Sequence, residues 1–166
     1  MIGQGSPHIP ERERHLMFHK ILVPLDGSAM AEQVFPLVQE LAWKFNGQVT
    51  LLQVVVPISP SLAAEAGAEW FLQQREIARQ TAEEYLRVKR GEFQAQNIPT
   101  QFVVLEGNVP EMILSFAEQG GFDLIAMVTH GRSGISRWAL GSVAEKVVRG
   151  SHCPVLLVRG RQPRVA

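Results

Sequence analysis

Short apolar runs alternate along the chain with longer amphipathic segments. The runs are rich in Val, Ile and Leu, and they lie at residues 20–26, 49–56, 100–105, 124–128 and 154–158. Apolar runs of this length are typical of strands buried on both faces of a parallel sheet. The pattern therefore predicts five strands.

Four of the segments between these runs carry apolar residues at helical spacing and predict helices over residues 29–45, 69–96, 109–119 and 140–149. Ser28 is a candidate N-cap of the first helix. Pro36 lies inside that helix and is expected to kink it near Gln33. Gly91 is expected to mark a break near the end of the second helix, whereas Pro110 occupies a tolerated first-turn position in the third.

The predicted order is a strict alternation of strands and helices. This order predicts an α/β fold with parallel pairing, right-handed crossovers and helices on both faces of the sheet. Open sheets of this kind bind ligands at the carboxyl ends of their strands, where the strand order reverses. In this chain those ends are residues 24–26, 54–56 and 128–131.

Composition and charge narrow the class of protein. The 166 residues fit one domain, and 46% hydrophobic with 19% charged residues is an ordinary globular composition. Sixteen basic and sixteen acidic side chains give a formal net charge of +0, without a block of five like charges. Such a chain lacks the electrostatic footprint of a nucleic-acid-binding protein, so no nucleic-acid partner is expected.

The ends of the chain and its single cysteine bear on location. Residues 1–17 are expected to form a flexible extension, residues 18–160 the folded domain, and residues 161–166 a loose tail. No apolar segment of signal-peptide or membrane-spanning length is present, so a cytoplasmic location without a membrane partner is expected. Cys153 has no internal disulfide partner, which is compatible with a reducing compartment, and is expected to be a buried thiol.

The loop after the fourth strand carries the clearest chemical signal. Gly131, Gly141 and Ser142 are small residues that let backbone N–H groups approach a ligand, and the amides at a helix start bind phosphate. Asp26, at the end of the first strand, can accept hydrogen bonds from a ribose, help to hold a metal near phosphate, or act only as a turn and cap residue. Neither GxGxxG nor GxxxxGK[ST] is present, which disfavours dinucleotide dehydrogenases and P-loop enzymes.

Several charged residues could contact a phosphorylated ligand. His130 could donate to phosphate or carry a proton, but no triad surrounds it, and Arg132 and Arg137 could neutralise phosphate or simply be solvated. No Cys/His cluster has metal-ligand spacing. Magnesium carried in by a nucleotide is left open.

The residues resemble the universal stress protein family over nearly the whole chain, from KILVPLDGS to THGRSGISRWALGSVAEKVVRGSHCPVLLVR. The resemblance implies a Rossmann-like open sheet of five parallel strands in the order 3-2-1-4-5. It also implies a homodimer formed through the last strand, in which Val155 to Val158 would pair with the same strand of the twofold-related chain. Members that bind ATP or AMP carry glycine, two residues, glycine, nine residues, then glycine with serine or threonine.

Carried over by position, the resemblance implies an adenine-nucleotide site at the ends of strands 1, 2 and 4. Asp26 would meet the ribose. The other residues would flank adenine (Pro24, Leu25, Val54), line the inner wall (Met127, Val128) and surround the phosphates (His130, Gly131, Arg132, Gly141, Ser142, Val143).

One residue departs from the family pattern. Val128 occupies the position of the first glycine, whereas Gly131 and Gly141-Ser142 match. A valine that points toward a helix covering the sheet is harmless, and one that points toward the ribose or phosphate takes up room.

The sequence leaves three hypotheses for the function of this protein. The first is a nucleotide-responsive signalling homodimer that binds ATP or AMP. The second is a stress protein that has lost nucleotide and acts through protein contacts. The third is a slow ATP hydrolase or adenylyl-transferring enzyme with His130 as a phosphate contact.

Overall fold

The predicted fold class is confirmed by a computed structural model, which describes residues 18–59, 67–129 and 141–161. Five parallel strands form one sheet in the order β3-β2-β1-β4-β5. The strands are β1 (Lys20–Leu25), β2 (Gln48–Val55), β3 (Thr100–Glu106), β4 (Leu124–Thr129) and β5 (Val155–Arg159). The helices are α1 (Phe35–Phe45), α2 (Ala68–Gln94), α3 (Val109–Gly120) and α4 (Ser142–Gly150), with a short 3₁₀ helix at Ala31–Val34 before α1.

Helices cover both faces of the sheet, as the apolar runs predict. On one face α1 and α2 pack against β1 and β2, with the rings of Phe35 and Phe93 edge to face at 5.1 Å. On the other face α3 and α4 supply Ile113 and Val147 to a second apolar cluster. Burial of the two faces contributes roughly 25 cal/mol per Å² of apolar surface removed from water.

Two expectations about helix breakers are wrong. Pro36 does not kink a longer helix, because it lies in the first turn of α1, where its missing N–H costs no hydrogen bond. The preceding turn is the separate 3₁₀ helix. Gly91 does not break α2, which continues to Gln94 because Phe93 is fully buried in the core.

The strand order reverses between β1 and β4. From β1 the chain continues through α1 to β2 on one side, and from β4 it continues through α4 to β5 on the other. The register between β1 and β4 contains only Ile21 with Leu124 and Leu22 with Ile125, whereas β1 and β2 share six residue pairs. The two strands therefore part toward their carboxyl ends, which opens a crevice at the switch point.

Candidate nucleotide-binding site

A cavity of about 610 Å³ lies at the carboxyl ends of β1, β2 and β4, within the size range of small-molecule sites. Nine of the twelve residues expected at the site line it: Pro24, Leu25, Asp26, Val54, Met127, Val128, Gly141, Ser142 and Val143. The other three, His130, Gly131 and Arg132, lie outside the described residues. The sequence-predicted residues from four separate elements thus meet around one space.

Asp26 is placed by the turn that ends β1. Its Oδ1 accepts the N–H of Ser28 at 3.0 Å, and Ser28 Oγ accepts the N–H of Ala31 at 3.1 Å. The turn role expected of Asp26 is therefore present. The expectation that Ser28 is the N-cap of a helix over residues 29–45 is wrong, because the N-cap of the 3₁₀ helix is Met30 and that of α1 is Val34. Asp26 also lines the cavity, so the turn fixes an exposed carboxylate at its rim.

The amino terminus of α4 forms another part of the wall. Gly141 is the N-cap, and the first bond along the helix runs from the Glu145 N–H to the Gly141 carbonyl at 2.9 Å. The amides of Ser142, Val143 and Ala144 therefore have no partner within the helix. Together with the positive end of the helix dipole, these amides can bind an anionic group.

The remaining wall is apolar, and sequence reasoning missed part of it. The additional lining residues are Ala31, Leu52, Val109, Ile113 and Ala144. Leu52 and Val54 are two residues apart on β2 and share a face, while Val109 and Ile113 share a face of α3 four residues apart. Helical spacing directly after the third strand was the signal that could have identified the α3 pair.

Val128 packs on the side of the sheet that carries the 3₁₀ helix and α1. It belongs to the cluster that contains Ala31 and Val34, with Met30 packed against it, and is 6% exposed. Its neighbour Met127 belongs to the opposite cluster. The valine side chain thus has a place in the core although the residue also lines the cavity.

Lys89 of α2 forms ion pairs with Glu32 and with Glu92. Lys89 Nζ is 3.0 Å from Glu32 Oε2 and 3.0 Å from Glu92 Oε1. Burial, followed by the charges of Glu32 and Asp26, raises the pKa of Tyr85. Burial lowers the pKa of Lys89, but the two glutamates outweigh it, so the net shift is upward. Tyr85 therefore remains neutral and Lys89 charged at neutral pH.

Other features of the described residues bear on alternative functions. No group of three or more His, Cys, Asp or Glu side chains in residues 18–59, 67–129 and 141–161 could hold a metal ion. Within the same ranges, no helix has both the length and the apolar character needed to cross a membrane. Cys153 is a free thiol and is half-buried rather than fully buried as expected.

An open parallel sheet with a ligand-sized cavity at its switch point defines a Rossmann-like α/β protein. The universal stress protein family model matches residues 17–159, and the chain belongs to that family. It is 33% identical over 143 residues to the universal stress protein MJ0531 of Methanocaldococcus jannaschii, covering 86% of this chain and 83% of that protein.

Solved structures show the same fold. The protein MJ0577, also of M. jannaschii, superposes with a TM-score of 0.75 at 26% identity, covering 89% of this chain and 99% of the other. A universal stress protein solved in complex with cAMP has a TM-score of 0.65 at 19% identity, covering 86% and 98%. One from Archaeoglobus fulgidus, solved in complex with dAMP, has a TM-score of 0.60 at 18% identity, covering 85% and 98%.

Proposed function

We propose that this universal stress protein binds an adenine nucleotide, ATP or AMP, in the switch-point cavity and acts as a nucleotide-responsive homodimer. One observation carries the proposal: a single cavity joins an apolar pocket, an exposed carboxylate and the amino terminus of a helix. These three parts match the chemistry of a base, a ribose and a phosphate. As expected from the sequence, the protein would act in the cytoplasm.

Each part of the nucleotide has a complementary region in the cavity. The base would lie between the apolar residues of β1 and β2, where Pro24, Leu25 and Val54 provide surface without side-chain charge. The ribose hydroxyls would donate to the Asp26 carboxylate. The phosphates would meet the amides of Ser142 and Val143, with His130, Gly131 and Arg132 completing that side as the family pattern implies. Magnesium would arrive with ATP.

Relatives support the choice of ligand class. Universal stress proteins have been solved in complex with cAMP and with dAMP, both of which carry adenine, a sugar and one phosphate. Both proteins share the fold of this chain and support an adenine nucleotide as the class of ligand. The proposed contacts of individual residues are argued from the cavity geometry.

The homodimer would form along β5. This strand pairs with β4 on one side and lies at the edge of the sheet as the structure describes it. Its side chains from Val155 to Val158 are half-buried, and an apolar edge strand is a template for pairing with another chain. Because β4 lies between the cavity and β5, nucleotide binding could reach the dimer through one strand.

The proposal is tested with the purified full-length chain. Denaturation followed by mass spectrometry detects released ATP or AMP, and calorimetric titration measures the affinity of the emptied protein for each. Val54→Trp would fill the base pocket and abolish binding, whereas Val56→Trp is the matched control because Val56 is 65% exposed and outside the cavity. A flat titration to millimolar nucleotide, without released nucleotide, would refute the proposal and favour a protein that acts through protein contacts alone.

A further inference from the structure

Gly160 lies where the core has no space for a side chain. It follows β5, and its N–H donates to the Thr129 carbonyl at 3.1 Å. A β-carbon at this position would lie 2.9 Å from Val128 Cγ1 and 2.9 Å from Met30 Cγ. Carbon atoms in proteins pack about 3.5–4.0 Å apart, so any larger residue at position 160 would have to displace one of these side chains.

The backbone does not explain the glycine. The φ angle of Gly160 is not positive. Among the described glycines, a positive φ occurs at Gly27, Gly67, Gly107 and Gly121. Alanine could therefore adopt the same conformation. Glycine is suited to this position because it has no side chain to contact Val128 and Met30.

We propose that Gly160 is a positioning residue that holds the Val128 side chain in the core and keeps the nucleotide cavity open. Val128 lines the cavity, and its Cγ1 lies beside the space that a side chain at position 160 would occupy. The valine in place of the first motif glycine is accommodated because position 160 has no side chain. The effect of Gly160 on nucleotide affinity rests on the proposed function, whereas its effect on the Val128 side chain does not.

The first test needs no ligand. Three-bond couplings from the Val128 methyl carbons to its backbone N and C′ report χ1, and they are measured by NMR in the wild-type chain and in Gly160→Ala. We expect the couplings to change in Gly160→Ala and to stay constant in Gly91→Ala, since no atom lies within 4 Å of a β-carbon at Gly91. Unchanged Val128 couplings together with a shifted Met30 methyl signal would overturn the proposal, because Met30 alone would then make room.

The second test measures nucleotide affinity. Gly160→Ala should weaken AMP binding about tenfold, equivalent to about 1.4 kcal/mol. The double variant Gly160→Ala/Val128→Ala should regain most of that loss, since the smaller side chain at 128 no longer competes for space. A loss that persists in the double variant would overturn the positioning role. If the wild-type chain binds no nucleotide, the proposed function fails, and the χ1 measurement alone decides the role of Gly160.

Discussion

The Asp123 carboxylate joins the start of β4 to Lys20, the first residue of β1. Asp123 Oδ2 accepts the N–H of Lys20 at 2.8 Å and that of His19 at 2.9 Å. In return, the Asp123 N–H donates to the Lys20 carbonyl at 2.9 Å. β1 and β4 are thus connected at their amino ends, opposite the cavity, and are free to part at their carboxyl ends.

This connection should contribute to stability without affecting the ligand site. Asp123→Ala removes an acceptor of two backbone N–H groups, and because water can replace it at this exposed position we expect a loss of about 1–2 kcal/mol in the free energy of unfolding. Urea denaturation measures the loss. Asp123→Asn keeps an acceptor oxygen and should lose less. Weaker nucleotide binding in Asp123→Ala would contradict the separation of this end of the sheet from the cavity.

Hydrophobic patterning was sufficient to predict the order of elements, because each strand is a compact apolar run between turns. It was not sufficient at Gly91, where burial of Phe93 outweighs the low helix propensity of glycine. It also could not predict the direction of Val128. Both faces of this sheet are covered by the apolar sides of amphipathic helices, so alternation along β4 does not distinguish one face from the other.

Tyr85 should affect the free energy of unfolding in alkaline solution. Its hydroxyl is buried near Glu32 but forms no hydrogen bond of good geometry among the described residues, and burial, followed by the Glu32 charge, raises its pKa. Near pH 7, Tyr85→Phe should therefore change the free energy of unfolding by less than about 0.5 kcal/mol, since an apolar ring fills the same space. Urea denaturation of both proteins from pH 7 to pH 11 provides the measurement.

The sign of the pH effect follows from linkage. Burial raises the pKa of folded Tyr85 above its ordinary value of 10.0, so above pH 10 the unfolded chain releases a proton that the folded chain keeps. Stability due to the neutral phenol is complete below pH 10 and falls as the pH rises. Tyr85→Phe should flatten this fall but not remove it, because the pKa of Lys89 is also raised from 10.5. An identical alkaline profile in both proteins would show that Tyr85 does not contribute.

A negative charge at the start of α4 should separate phosphate binding from base binding. Ser142→Asp places a carboxylate in the first turn, which the helix dipole favours, so the fold should be at least as stable as before. The same carboxylate would repel the phosphates. We expect AMP affinity to fall at least about tenfold, or about 1.4 kcal/mol, in calorimetric titration.

Two comparisons make this prediction specific. Ser142→Asn introduces a side chain of nearly the same size as aspartate but without its charge, and this variant should bind AMP nearly as well as the wild type. Adenosine, which has no phosphate, should bind the wild type and Ser142→Asp equally. Equal losses for adenosine and AMP would mean that residue 142 lies near the base or the ribose rather than the phosphates.

The site was more predictable at its polar rim than along its apolar wall. Asp26 and Gly141-Ser142 stand out in the sequence because turn and helix-start residues have distinct chemistry. Leu52 and Ile113 resemble any other core residue, and only the parting of β1 from β4 and the position of α3 make them cavity residues. Their role depends on tertiary placement, which periodicity does not encode.

The outer edge of β5 offers a direct test of the proposed dimer. The Ile125 N–H donates to the Pro154 carbonyl at 3.0 Å, and the Gly160 N–H donates to the Thr129 carbonyl at 3.1 Å, so even-numbered residues of this strand bond to β4. By alternation the Leu157 N–H faces outward. Leu157→Pro removes that donor while the bonds to β4 remain, as proline is tolerated on the free side of an edge strand.

We expect Leu157→Pro to raise the dimer dissociation constant at least about tenfold in sedimentation equilibrium, the effect of about 1.4 kcal/mol. Leu157→Ala is the control for lost packing, since Leu157 also contacts the cluster beneath α3 and α4. Leu157→Ala keeps the N–H and should weaken the dimer less, and thermal unfolding shows whether each variant is folded. A folded Leu157→Pro chain with an unchanged dissociation constant would exclude main-chain pairing along β5, because that pairing requires the outward N–H.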